Sequence, residues 1–188
     1  METATQDQHL ALVRACKQGD RMAQHSLFKA YAKSMLNTSV RILKDHDQAQ
    51  DVVQEAFIEV FTRMHLFRED SSFGYWLKQI VVNRSISELR KHKPGQWIST
   101  DEWTESDWHT QACIEDSYDG EEIEWEVERV KKAINLLPEG YRMVLVLYLL
   151  EGYDHDEIAE ILSISPATSR TQYIRGKKKL LELLKNVN

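Results

Sequence analysis

The stretch EIAEILSISPATSRTQYIRGKKKL, Glu157–Leu180, reads as two helices meeting at a sharp corner. Ile158, Ile161 and Leu162 fall on one side of the first helix, and Ala159 is small enough for a second helix to cross it closely. Ile164 plugs the corner, Ser165 is placed to cap, and Pro166 pre-sets the backbone dihedral of the first helical position. A helix-turn-helix of this kind sends the N-terminal part of its second helix into the major groove of DNA. With Tyr173, Gly176 and Leu180 as the inward stripe, Ala167, Thr168, Arg170, Thr171, Ile174, Arg175 and Lys178 face outward. Arg170 suits a guanine edge, while Ser165, Thr168 and Thr171 suit phosphates or base edges. Arg175, Lys177, Lys178 and Lys179 form a phosphate-holding ridge. The plain alternative is a solvated face of an ordinary helical bundle.

A polyanion-gripping device sits oddly in a chain of net charge -6, and the charges resolve the conflict by segregating. Residues 1–93 and residues 129–188 each carry +3, whereas residues 94–128 carry -12 with no Lys or Arg. The acidity is therefore a local strap between two mildly basic ends. Trp97, Trp103 and Trp108 lie among those acids with no helical or strand period, and large rings on a spacer are expected to dock on something.

The rest of the chain reads as all-α, since 7 Gly and 3 Pro in 188 residues disfavour a turn-rich sandwich or barrel. A helix is expected over 6–17 with Leu10, Val13 and Cys16 inward, stopped by Gly19. Asp20 then caps a second through Leu43, burying Leu27, Phe28, Tyr31, Met35 and Ile42. Asp47 and Gln50 resemble a capping box for a third, whose stripe is Val53, Ala56, Phe57, Val60, Phe61 and Met64. After REDSS a fourth runs over 73–91 with Phe73, Trp76, Leu77, Ile80 and Val81 inward; Trp76 reads as core rather than as an exposed stacking ring. Ile123, Val127, Val130, Ile134 and Leu137 mark one face of a fifth. Pro138 suits the first turn of a sixth, YRMVLVLYLL, which propensity alone would also allow as a strand. Two small helical domains result, residues 1–93 and 121–188, joined by an acidic linker over 94–120.

Cys16 and Cys113 have no Cys or His near them at zinc-ligand spacing, so neither a metal site nor a disulfide framework is expected. No apolar run reaches the roughly 18 to 20 residues that cross a bilayer, and the polar N-terminus METATQDQHL lacks a signal pattern, so a cytoplasmic, soluble protein without membrane insertion is expected. An enzyme is disfavoured: no Gly-rich phosphate loop, metal-ligand cluster or Ser, His and acid set occurs, and His155 reads as a surface helix start. No cofactor is expected.

Two motif blocks resemble the extracytoplasmic-function sigma factors, the small two-domain promoter-recognition subunits of bacterial RNA polymerase. DQAQDVVQEAFIEVF followed by SSFGYWLKQIVVNRSISELRK is similar to the family's region two, and LPEGYRMVLVLYLLEGYDHDEIAEILSISPATSRTQYIRGKKKL to its region four. The resemblance implies that the first domain binds the polymerase clamp and opens the minus-10 element, and that the second binds the minus-35 element and the flap. Asp51, Gln54, Glu55 and Glu59 would then meet the clamp. The loop LFREDSSF, with Ser72, Lys78, Asn83, Arg84, Arg90 and Lys91, would lie near melted DNA and hold a flipped base. It further implies an anti-sigma partner, and a strap that threads the polymerase until the transcript displaces it. Ser169 and Gly176 depart from the family's usual valine and alanine, and Thr171 from its serine, which suggests a less tightly held recognition helix. A helix-turn-helix regulator that is no polymerase subunit is the competing class, but it leaves the DVVQEAF surface and the strap unused.

Overall fold

The structure, a computed structural model, describes residues 2–92 and 120–186, with side chains over 10–91 and 127–185. The chain divides into two compact units, Met1–Lys93 and Pro94–Asn188. Cys113, the three linker tryptophans and most of the acidic strap lie outside the described residues.

The first unit holds α1 (Glu2–Lys17), α2 (Arg21–Leu43), α3 (His46–Thr62) and α4 (Phe73–His92). Gly19 ends α1 with φ of 85°, and the Asp20 carboxylate accepts from the amides of Met22 and Ala23, so α2 starts two residues after the break. Val13, Leu27, Val53, Phe57, Val60, Leu77 and Val81 are all buried in one core, as their spacing requires. Trp76 packs on it with its ring 5.1 Å from Phe67 and 6.1 Å from Phe73. Cys16 is buried there too, and burial, helped by the Asp20 charge, pushes its thiol up to about 11.

Three expectations change. The cap of α3 is Asp45, which accepts from the Asp47 and Gln48 amides, because Lys44 turns left-handed at the end of α2 and delivers Asp45 to that position before Asp47 is reached. Phe28 stays 38% exposed, its ring edge-on to Phe57 at 4.9 Å, since it lies at the rim of the α2 stripe. Met64 is buried, but from a separate 3₁₀ turn, Met64–Leu66, that follows α3.

The second unit holds α5 (Gly120–Asn135), α6 (Glu139–Leu145), α7 (His155–Leu162) and α8 (Pro166–Asn186). Pro138 stands just before α6 as its cap residue, and the apolar run that follows is helical rather than extended. At Val146–Leu150 the helix widens to a π turn, and the Glu151 amide reaches back five residues to the Val146 carbonyl. Met143, Val144, Leu145, Val146 and Leu147 are buried, whereas Tyr148, Leu149 and Leu150 turn outward. Val127, expected on the buried face of α5, is 44% exposed, while Ile134 and Leu137 nearer α6 are buried.

Candidate nucleic-acid interface

The corner between α7 and α8 is built by reciprocal capping. The Asp154 carboxylate accepts from the Asp156 and Glu157 amides, while the Glu157 carboxylate accepts from the Asp154 amide. Ser163 closes α7 in the left-handed region, and the Ile164 amide donates to the Ala159 carbonyl. Ser165 Oγ then accepts from the Thr168 amide at 3.0 Å and lies 2.8 Å from Thr168 Oγ1, so these two hydroxyls sit together at the start of α8.

Along α8, positions 167, 170, 171, 174 and 178 share one face, on which Arg170 and Lys178 are exposed and Thr171 and Ile174 half-buried. The Thr171 hydroxyl is already spent on the Ala167 carbonyl, leaving Oγ1 lone pairs and a methyl for a ligand. Arg170 Nη2 lies 3.7 Å from Asp156 Oδ1, an exposed pair that leaves the guanidinium cheap to redirect. Arg175 and Thr168 flank this face, and Arg175 is half-buried, so the outward ridge is Lys177, Lys178 and Lys179.

The suggestion of a loosened α8 is overturned. Ser169 is fully buried and its Oγ lies 2.9 Å from His155 Nδ1. A methyl on Gly176 would stand 3.1 Å from Tyr141 Cβ and 3.2 Å from Leu145 Cδ1, so α8 lies against α6 closely enough that a side chain there would require its neighbours to shift by a few tenths of an ångström. His155, read as a surface helix start, is indeed the first residue of α7 but lies half-buried between the rings of Tyr148 and Tyr173, while Gln172, buried, was missed because no periodic signal marks it.

In the first unit the candidate residues fall into three groups. Asp51, Gln54, Glu55 and Glu59 line one face of α3, the first three exposed and Glu59 half-buried. Ile58 stands in their midst, 67% exposed, and was missed because it falls outside the buried stripe. Arg84 lies with this face rather than apart from it: its Nη2 and Nε reach Glu59 Oε2 at 2.6 and 2.7 Å, and its Nη1 reaches Glu55 Oε2 at 2.8 Å. Glu59 also pairs with Arg63. Asn83 and Arg90, seven residues apart, share another side of α4, while Lys91, exposed and paired with Glu88, follows Arg84. Lys78 is half-buried and stands about one turn before the buried Val81 and Val82 in α4.

The loop before α4 forms the last group. Ser72 accepts from the Tyr75 amide and so starts α4. Glu69, with φ of 62°, pairs with Lys17 at 2.9 Å and Arg14 at 3.1 Å. Hydrogen bonds from Lys17 and then Arg14 hold its carboxyl below the usual carboxylate range, so the tie from this loop to α1 persists further into acid than that of an ordinary glutamate. Between them lies a cavity of 310 Å³ lined by Leu10, Val13, Tyr31, Phe73 and loop residues 69–72. Among the described residues there is no His, Cys, Asp and Glu cluster fit for a metal, and no helix long and apolar enough to cross a membrane.

Residues 27–94 match the family model for sigma-70 region 2, and residues 128–180 match that for sigma-70 region 4. The chain is 32% identical to the RNA polymerase sigma-H factor of Pseudomonas aeruginosa over 180 residues, which cover 93% of this chain and 92% of that one. It is 28% identical to the sigma factor SigW of Bacillus subtilis, covering 93% and 96%. In fold it is similar to CnrH, solved in complex with the cytosolic domain of CnrY, with a TM-score of 0.57 and 20% identity over 95% of this chain and 97% of that one. Two helical units carrying regions 2 and 4 in that order, with relatives aligned over most of the chain, make this protein a member of the extracytoplasmic-function sigma factors of the sigma-70 family, non-catalytic subunits that direct transcription initiation by RNA polymerase.

Proposed function

We propose that the two units divide promoter recognition between them, α8 reading the minus-35 element and the first unit opening the minus-10 element on the polymerase. The single observation that carries this is the exposed face of α8, where Arg170 stands two turns N-terminal to the Lys177–Lys179 ridge. The N-terminal turns enter the major groove, where Arg170 reads a base edge. Ser165, Thr168, Thr171 and Ile174 contact base edges or phosphates beside it, and Lys178, with Arg175 at the margin, holds the backbone.

The α3 face of Asp51, Gln54, Glu55 and Glu59 docks on the clamp, and a surface of the second unit meets the flap. The cavity by loop 69–72 receives an unpaired base, supported by its apolar walls from Leu10, Val13 and Phe73 and its hydroxyl rim. Asn83, Arg90, Lys91, Ser72 and Lys78 then hold the displaced strand, with Arg84 in second place because Glu55 and Glu59 engage it. Residues 94–120 act as an acidic linker through the polymerase, and an anti-sigma protein restrains the free chain. All of this takes place in the cytoplasm, where polymerase and chromosome meet.

The test is transcription from purified core polymerase with start sites mapped. Arg170→Ala lowers discrimination of the upstream element by about 1 to 3 kcal/mol and leaves polymerase binding unchanged. Loss of polymerase affinity in that variant, or initiation at no defined site by the wild type, overturns the reading.

A further inference from the structure

Outside the DNA-facing residues, one cluster of polar and aromatic side chains has no assigned use. His155, the first residue of α7, lies with its ring stacked on Tyr148 at 4.8 Å and 21°, and edge-on to Tyr173 at 5.6 Å. Tyr148 and Tyr173 are themselves 4.7 Å apart. Three elements therefore meet at one imidazole: the π turn after α6, the start of α7, and α8. Tyr148 lies within the π turn, directly after the buried run that ends at Leu147, and is itself 38% exposed. His155 Nδ1 lies 2.9 Å from the buried Ser169 hydroxyl, immediately before Arg170 in α8. Asp156, next to His155, faces Arg170 from the other side.

We propose that His155 is a positioning residue for DNA reading: its ring, bonded to Ser169 and held by Tyr148 and Tyr173, sets the rotation of α8 that presents Arg170 to the groove.

Rotation is the sensitive variable, since turning a helix about its axis sweeps the tip of a long outward side chain further than it moves the packed atoms close to the axis. Aromatic packing fixes the separation of the two helices but tolerates sliding; a hydrogen bond of 2.9 Å to a serine on the buried side does not. The charged groups around the ring are Arg170 on α8 and Asp154 and Asp156 on α7, with the two tyrosine hydroxyls beside them. Burial, followed by Arg170, lowers the His155 pKa, and the two aspartates oppose this less strongly. The sign follows. A histidine whose pKa is depressed in the fold lends its stabilisation fully above its ordinary value and loses it as pH falls through the depressed one. Protonation also places a cation beside Arg170 and at the positive end of α7.

The proposal rests on α8 as the minus-35 reader, so the experiment includes a control for that reading. Holoenzyme is assembled from the full chain and core polymerase. Its probe is a promoter duplex selected by the wild-type holoenzyme from a random-sequence pool, compared with the same duplex carrying a scrambled upstream element. Discrimination between the two is measured from about pH 8 down to about pH 5.5. Ser169→Ala and His155→Phe are expected to lose about fivefold of the discrimination at the alkaline end, the worth of one buried hydrogen bond. His155→Asn, whose amide can stand near the place of Nδ1, is expected to recover most of it and to stay flat on acidification, where the wild type declines. Equal discrimination in wild type, Ser169→Ala and His155→Phe overturns the proposal, as does a decline in His155→Asn that tracks the wild type. Should Ser169→Ala or His155→Phe fail to fold by circular dichroism, the contrast between wild type and His155→Asn decides alone. If Arg170→Ala keeps full discrimination, α8 is not the reader and the proposal falls with it. If only Arg170→Ala loses it, the reading stands and the role of His155 does not.

Discussion

Among single side chains, Arg84 joins two surfaces that the motif pattern treats as separate. Its guanidinium spans Glu55 and Glu59, so a cation aligned with the DNA-facing set is bound to carboxylates aligned with the polymerase-facing set. Glu59 is 19% exposed against 66% for Glu55, and the pair to Glu59 is therefore the less screened of the two. Arg84→Ala is expected to lower the stability of the first unit by about 1 kcal/mol, seen as a lower urea midpoint. Adding Glu59→Gln to it should cost less than the sum of the two single changes, because both remove the same Arg84–Glu59 contact. A strictly additive pair would show that the contact carries no stability.

Elements are set by their ends more than by their interiors. The N-terminus of α7 has both halves of a capping box, so Asp154→Ala should destabilise the second unit by about 1 kcal/mol, while Glu157→Ala, which loses only the return bond, costs less. Thermal unfolding of the two variants checks the order, and the reverse order would mean that the Glu157 bond is the main one. The start of α3 shows why such ends are only partly legible. Asp47 with Gln50 fits a capping box in sequence, yet the left-handed turn at Lys44 places Asp45 at the cap instead. The π turn at Val146–Leu150 leaves no mark in an apolar run, since any helix of those residues would be hydrophobic all round.

For the whole molecule the main quantity is the division of charge, +3 in residues 1–93, -12 in 94–128 and +3 in 129–188. Promoter affinity through the cationic ends should fall with salt. Deletion of residues 99–118 should leave polymerase binding in place yet change initiation and promoter escape, measured as abortive and full-length transcripts on purified polymerase. Unchanged product ratios would remove the strap from the mechanism.

Sequence alone determined the helical class, the three-part division of charge and the outward placing of Arg170 and Lys178 on α8. Each of these depends on local spacing, at three and four residues, or on summed charge. What the tertiary structure decided is how partners distant in the chain meet. Ser169 and Gly176 look like weaknesses when read along one helix, yet one bonds His155 fourteen positions away and the other admits α6 to van der Waals contact. A polar or missing side chain has no fixed energetic sign of its own; the sign comes from the atom that faces it, and only packing supplies that atom.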